Sequence, residues 1–501
     1  MPKLSAELAL ALPPQPAHVP AYHWLYEALR AQILSGHLAA DRRLPSTRDL
    51  ARQYGLARGT VISAFEQLQS EGYVHGSVGA GTYVNRVLPE ALLHVSQVGD
   101  GKTVGKPKRP RAVSHYARRA RLFGGYENRP IRAFRTNLPA LDLFPVTLWT
   151  KISTRCLRRI STRQLMGCDP LGYLPLRQAI AECVSQSRGV KCAAEQVAVL
   201  SGVQEALDLT TRLLVNREDL VCVENPCYPG AVQAFEAYGA KIHRAGVDQE
   251  GIAVEQLPSR GVRLIYVTPG HQFPLGTTMS VARRLQLLGW ARKTGALIFE
   301  DDYDSEFRYS GRPVPALQGL DDGRIVLYAS SFSKVLFPAL RLGYVVIPPD
   351  IVARFETVLS LTSRHAPILE QLVLTEFIRE GHFGRHIRRM REIYAERLSV
   401  LLEEAECTLR GLLEISKIEA GLQTTGWLAE GLDAESAAAA AAAWNLEVTP
   451  LGRYGQGHAI LGGVQMGFAA LEPKEIRRGV RELAIALAGE RRRTRIFQES
   501  R

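Results

Sequence analysis

The hydrophobic rhythm of the chain changes near Phe134. Before it, apolar residues recur at helical spacing in short stretches. Leu25, Leu29 and Ile33 share one face of a helix predicted over residues 22–35 and ended by Gly36. Ser46 heads a second short helix that Gly55 stops. A third helix is predicted over residues 60–71, with Val61, Ala64, Phe65 and Leu68 as its buried stripe. Its other face carries Arg58, Thr60, Ser63 and Gln67. Residues 73–84, with glycines at 76, 79 and 81, read as a glycine-tipped hairpin. Helix, turn, helix and hairpin in this order make a winged helix-turn-helix.

From Phe134 onward, short apolar runs alternate with helical patterns, the signature of an α/β domain. The runs at 197–200, 220–223, 264–267, 296–299 and 324–329 each end in a polar or turn-rich loop. A helix opens at 172–177 and runs to Val184. Near the C-terminus a basic amphipathic helix is expected over 379–400 and an alanine helix over 437–443. The predicted plan is a proline-rich arm (1–19), a winged helix (20–85), a basic linker (86–130) and an α/β domain (131–495). That last domain divides into a large part at about 160–350 and a small one at about 351–490.

A chain of 501 residues is too long for one typical domain, in keeping with this division. No apolar run reaches ~18 residues, and prolines interrupt the first seventeen. Neither a membrane span nor a signal peptide is expected, which predicts a cytoplasmic protein. The seven cysteines are scattered without a CxxC pair and read as reduced thiols. The net charge of +12 is uneven: residues 1–130 hold 17 Lys and Arg against 9 Asp and Glu. Lys102, Lys106, Lys108, Arg109, Arg111, Arg118, Arg119 and Arg121 crowd the linker. Such asymmetry points to a polyanion such as double-stranded DNA, although a solvated tether has the same composition.

The candidate chemistry lies at the strand ends. Ser330, Ser331, Ser333 and Lys334 follow an apolar run, and Arg341 lies seven residues on. Burial and nearby cations make such a lysine a usable amine, and hydroxyls with an arginine suit a phosphate. Taken alone, the segment equally fits an ordinary strand-to-loop junction. Gly202, Val203 and Gln204 begin a helix after a strand, where free N–H groups attract anions. Tyr228 sits on a loop at a strand end, placed to stack on a flat ring or to pack as a loop residue. Glu300, Asp301 and Asp302 crowd another strand end and call for a cationic partner. A protonated pyridine is one; a metal is disfavoured because no histidine pair lies near.

Residues 20–85 resemble the winged-helix domain of GntR-type regulators. Matching segments are Leu44-Pro45-Ser46-Thr47-Arg48, Arg58-Gly59-Thr60-Val61, Glu71-Gly72-Tyr73 and the hairpin around Gly81. The resemblance implies that Ser46, Arg48, Arg58 and Thr60 contact DNA and that Gly81 marks the wing tip. Ala57 departs from the usual serine. Residues 135–490 resemble fold-type I pyridoxal phosphate (PLP) enzymes of the aspartate aminotransferase superfamily, and the whole chain resembles MocR-type regulators.

That resemblance implies a Schiff base at Lys334, Asp301 on the pyridine nitrogen, Tyr303 on the ring hydroxyl and Tyr228 on the ring face. It places the phosphate on Gly202, Val203, Gln204, Ser331, Ser333 and Arg341. It also implies a domain-swapped homodimer, located at the bacterial nucleoid when bound to DNA. The arginine that grips a substrate carboxylate has no clean match: Gln465 and Met466 precede Gly467, and Arg453 is the substitute considered. Gly167 stands where a tyrosine is frequent, and Gln423 where a histidine is. The expected function is regulation of transcription through sensing of PLP, or of an amino compound, at Lys334. The alternatives are a working aminotransferase with a tethered DNA-binding domain, and PLP as a structural plug.

Overall fold

The computed structural model describes residues 10–16, 18–77, 81–89, 111–122, 131–310, 314–455 and 462–499. The chain divides into two units, Met1–Arg111 and Ala112–Arg501.

In the first unit, α1 (Ala21–Leu34) buries Leu25, Leu29 and Ile33, the face its spacing selects. α2 (Thr47–Tyr54) starts at Ser46, whose hydroxyl accepts from the Asp49 N–H at 3.2 Å. It ends at Gly55, which is left-handed with φ 64°. α3 (Arg58–Ser70) buries Val61, Ala64, Phe65 and Leu68. β1 (Val74–Ser77) and β2 (Gly81–Val84) pair antiparallel, with Val74 opposite Val84. Residues 78–80 of the wing lie outside the described residues, as do 1–9 and 17 of the arm.

The described arm lies on the helices of this unit. Leu10 is buried, the Trp24 indole donates to the Pro13 carbonyl at 3.1 Å, and the Gln53 amide donates to the Leu10 carbonyl at 2.8 Å. Prolines deny the arm a helix but leave extended chain free to cover an apolar surface.

The second unit opens with α4 (His115–Arg119). Ser114 caps it through the Ala117 N–H at 3.1 Å, and the Tyr116 ring meets Tyr238 edge-on, centroids 5.0 Å apart. Five residues are too few to show apolar periodicity, so nothing in the pattern marked this helix. Lys102, Lys106, Lys108 and Arg109 of the linker lie outside the described residues.

The main sheet has eight strands: β3 (Val197–Leu200), β4 (Leu220–Asn225), β5 (Lys241–Asp248), β6 (Gly251–Ile252), β7 (Val262–Val267), β8 (Leu297–Asp301), β9 (Val326–Ser331) and β10 (Gly343–Val346). Their order is β3-β10-β9-β8-β7-β4-β5-β6. The five strands from β9 to β5 run parallel, whereas β10 is antiparallel to both its neighbours. Four helices of this part are α5 (Leu174–Arg188), α6 (Val203–Leu214), α7 (Pro229–Tyr238) and α8 (Val281–Thr294). Both faces of the sheet are apolar, as parallel strands require. Val221, Val223, Tyr266 and Phe299 pack with Leu207 and Phe235, while Cys222, Ile265 and Ile298 pack with Leu287 and Ala291.

A single turn, α9 (Phe332–Val335), carries Lys334 directly after β9. The helix expected over 379–400 is present as one helix that starts three residues later and runs on to Thr408. α10 (Ile368–Arg379) stops, Gly381 turns the chain at φ 73°, and α11 (His382–Thr408) begins. The alanine helix α12 (Ala434–Ala443) is capped by Asp433. It joins a four-stranded antiparallel sheet of β11 (Leu413–Ile415), β12 (Gln423–Leu428), β13 (Thr449–Pro450) and β14 (Gly463–Gly467), ordered β11-β12-β14-β13. α13 (Pro473–Glu499) closes the unit. No helix among the described residues is long and apolar enough to cross a membrane.

Candidate functional site

Parallel strands deliver their C-terminal ends, and the loops after them, to one edge of the sheet. A cavity of about 330 Å³ lies there. It gathers Lys334, Asp301, Tyr303, Tyr228, Gly202, Val203, Gln204, Ser331, Ser333 and Arg341, contributed by the loops after β3, β4, β8 and β9 and, for Arg341, by the loop that enters β10. Asn137, Tyr266, Phe273 and Pro338 complete the lining among the described residues.

At one end Asp301 closes β8. The Tyr266 hydroxyl donates to its Oδ2 at 2.7 Å, while Oδ1 is buried without a partner. Burial pushes this carboxyl up to about 7, against the Tyr266 hydrogen bond that favours its charged form. An unsatisfied carboxylate oxygen on a cavity wall is a receptor for a cationic N–H. Its neighbours belong to other networks, because adjacent strand residues face opposite ways. Glu300 accepts from the Leu317 and Gln318 N–H groups, and Asp302 pairs with Arg188 at 2.7 Å.

At the other end is an anion cradle. Gly202 precedes α6 at φ 134°, a conformation that favours glycine, and no side chain caps the first N–H groups of that helix. A Cβ placed on Gly202 would lie 4.0 Å from Nη2 of Arg341, so the guanidinium flanks the helix start. Ser331 and Ser333 add hydroxyls, and the Ser331 Oγ accepts from the Ser333 N–H at 3.1 Å. Ser330 is turned away and donates to the Asp302 carbonyl at 2.7 Å. The cradle fits a phosphate dianion.

Lys334 lies on the same cavity. Its Nζ donates to the Asn137 carbonyl at 3.0 Å. Burial lowers its pKa to about 8, with the Asp304 and Asp301 carboxylates pulling the other way. Such an amine is a competent nucleophile toward an aldehyde. Tyr228 caps α7, and its hydroxyl donates to Oε1 of Gln204 at 3.3 Å. Its ring stands edge-on to Phe273 at 5.8 Å. Arg453 does not line the cavity. Its guanidinium forms a two-pronged pair with Glu435, at 2.9 and 2.5 Å.

Asn137, Tyr266, His271, Phe273 and Asp304 belong to the site or its support and were not singled out from the sequence. Each acts through a partner far away in the chain. The exception with a usable signal is His271, among the described residues the one histidine in a loop that follows a buried strand.

The residues expected to contact DNA lie in the first unit. Arg48 and Arg58 are exposed, and Thr60 is half-buried. Ala57 gives α3 no side-chain cap, leaving its first N–H groups open to a phosphate. The Ser46 hydroxyl is engaged at the start of α2, donating to Asp49 Oδ2 at 2.5 Å. Gly81 opens β2 at φ 111°.

Residues 21–84 match the family model of bacterial regulatory proteins of the gntR family. Residues 147–442 match that of class I and II aminotransferases. A gntR-type DNA-binding domain joined to a fold-type I aminotransferase fold defines a class of helix-turn-helix transcription regulators. Over 94% of its length the chain is 39% identical to the probable rhizopine catabolism regulatory protein MocR of Rhizobium meliloti, of which it covers 94%. It is 28% identical to the pyridoxine biosynthesis transcriptional regulator PdxR of Corynebacterium glutamicum, over 96% of this chain and 99% of that one. The aminotransferase part superposes on the α-aminoadipate aminotransferase LysN of Thermus thermophilus, solved with N-(5'-phosphopyridoxyl)-L-leucine. The TM-score is 0.66 and the identity 28%, covering 72% of this chain and 92% of LysN. The chain belongs to the MocR-type family of GntR transcription regulators.

Proposed function

We propose that the protein is a regulator whose winged helix binds operator DNA and whose second unit binds PLP, sensing either PLP itself or an amino compound. The observation that carries this reading is a single cavity combining a low-pKa lysine, a buried carboxylate oxygen without a partner and an anion cradle. Asp301 would hold the pyridine nitrogen, Tyr303 the ring hydroxyl and Tyr228 the ring face. Gly202, Val203, Gln204, Ser331, Ser333 and Arg341 would hold the phosphate, and Lys334 would take the aldehyde. When bound, PLP supplies an aldehyde that exchanges between amines. An amino compound would compete with Lys334 for it, and the ligand would act by favouring one arrangement of the protein over another.

Relatives named for rhizopine catabolism and for pyridoxine biosynthesis support a small-molecule effector of either kind. Leu165, Met166 and Leu361 are 66, 86 and 82% exposed, and Gly167 abuts His365. Large apolar side chains this exposed support a homodimer, and hence an operator with a repeated half-site. Binding to such an operator would place the protein on the nucleoid.

Two measurements test this reading. Added PLP should give the purified protein a visible absorption band, and the protein should retard a specific DNA fragment. Arg58→Ala should weaken that retardation and lower the slope of log affinity against log salt by about 1. A protein that takes up no PLP, or steadily converts an amino acid and a keto acid, contradicts the reading. An Arg58→Ala protein with unchanged DNA affinity contradicts the assigned DNA face.

A further inference from the structure

His271 is a buried polar residue to which no cofactor contact has been assigned. It is 3% exposed. Its Nδ1 lies 3.0 Å from both carboxylate oxygens of Asp304, and 3.0 Å from the Tyr303 hydroxyl. The backbone is shaped to the ring. A Cβ on Gly421 would overlap it, and one on Gly276 would stand 3.1 Å from its Nε2.

The position of one proton follows from these contacts. Nδ1 carries either a hydrogen or a lone pair. The Asp304 carboxylate offers acceptor oxygens only, and both face Nδ1, so the hydrogen sits on Nδ1. The Tyr303 oxygen therefore meets an N–H and accepts from it. Its own O–H has no acceptor on His271 and is left to turn toward the cavity that Tyr303 lines.

We propose that His271, held by Asp304, is a positioning residue that aims the Tyr303 hydroxyl proton into the cavity, at the ring oxygen of the cofactor. This rests on the role proposed above for Tyr303. His271 touches no reacting atom and acts only through that hydroxyl. Without its N–H, the Tyr303 oxygen keeps only its side-chain hydrogen bond with Gln423, and the hydroxyl proton meant for the ring oxygen is held less firmly.

The test is the PLP dissociation constant of the full chain, read by absorption titration. It compares wild type, His271→Leu, His271→Asn, Tyr303→Phe and the His271→Leu/Tyr303→Phe double variant. His271→Leu should weaken PLP about tenfold in the wild-type background and less than about twofold when Tyr303 is phenylalanine. His271→Asn offers a side-chain N–H close to the place of Nδ1–H and should stay within about twofold of wild type. An equal loss in both backgrounds, or an asparagine variant as weak as the leucine one, overturns the inference while leaving PLP binding intact. A wild-type chain that takes up no PLP overturns the cofactor reading, and this inference with it.

Discussion

Lys334→Ala should abolish the visible absorption band that PLP gives the wild-type chain, at every pH tested. In the wild type the band should form faster as the pH rises, about tenfold per unit below pH 8, and level off above it. The cause is burial. It lowers the amine from its ordinary 10.5 to about 8, although Asp304 and Asp301 partly restore it. At neutral pH the shift enlarges the neutral, reactive fraction by about 300-fold. The sign for stability is the reverse of a paired lysine. The folded state binds fewer protons than the unfolded state between about 8 and 10.5. Stability therefore rises with pH across that window, and the cost of holding Lys334 is greatest below it. Lys334→Met should raise the melting temperature of the PLP-free protein at pH 7. Stopped-flow absorption and thermal melts check both statements; a capture rate independent of pH would contradict the first.

The second large effect is expected at Asp301. Asp301→Asn should weaken PLP by about 2–3 kcal/mol, roughly 30- to 150-fold, because a charge-assisted hydrogen bond to the pyridine nitrogen is lost. The same substitution should stabilise the PLP-free chain. Burial raises the Asp301 carboxyl from 3.8 to about 7, so the folded state binds more protons than the unfolded state in that window. Stability falls as pH rises from about 4 to 7, and the penalty is fully present above 7. Asparagine removes it, a gain of up to about 4 kcal/mol, since each pKa unit is worth about 1.4 kcal/mol. Melts of the PLP-free proteins at pH 5 and pH 8 separate the cases: the variant's advantage should appear at pH 8 and shrink at pH 5. A variant less stable than wild type at pH 8 would contradict this.

Both effects arise from one arrangement. The site holds a costly carboxylate and a costly amine on the same cavity, and a bound pyridine ring with an aldehyde would relieve both. That is the physical sense in which this domain could report on its ligand: occupancy changes the energetics of the strand ends that support it.

Local chemistry was the most legible in the sequence. Ser46 and Gly55 bound α2, and four apolar residues define the buried face of α3, because caps and periodicity act within a few residues. The strand leading to Lys334 was visible for the same reason. What escaped were partners joined only by the fold. Tyr266 reaches Asp301 across 35 residues, His271 reaches Asp304 across 33, and Asn137 meets Lys334 across 197. Arg453 was considered for a substrate carboxylate on sequence position alone; its exposed guanidinium is instead paired with Glu435, eighteen residues upstream.

The decisive measurement is the affinity of the purified chain for the DNA upstream of its own gene, with and without PLP, in wild type and in Lys334→Ala. PLP should change the wild-type dissociation constant by about 5- to 150-fold, the range of ordinary coupling energies, and leave that of Lys334→Ala unchanged. A wild-type affinity that ignores PLP, or an equal shift in the variant, would show that DNA binding is not governed through Lys334.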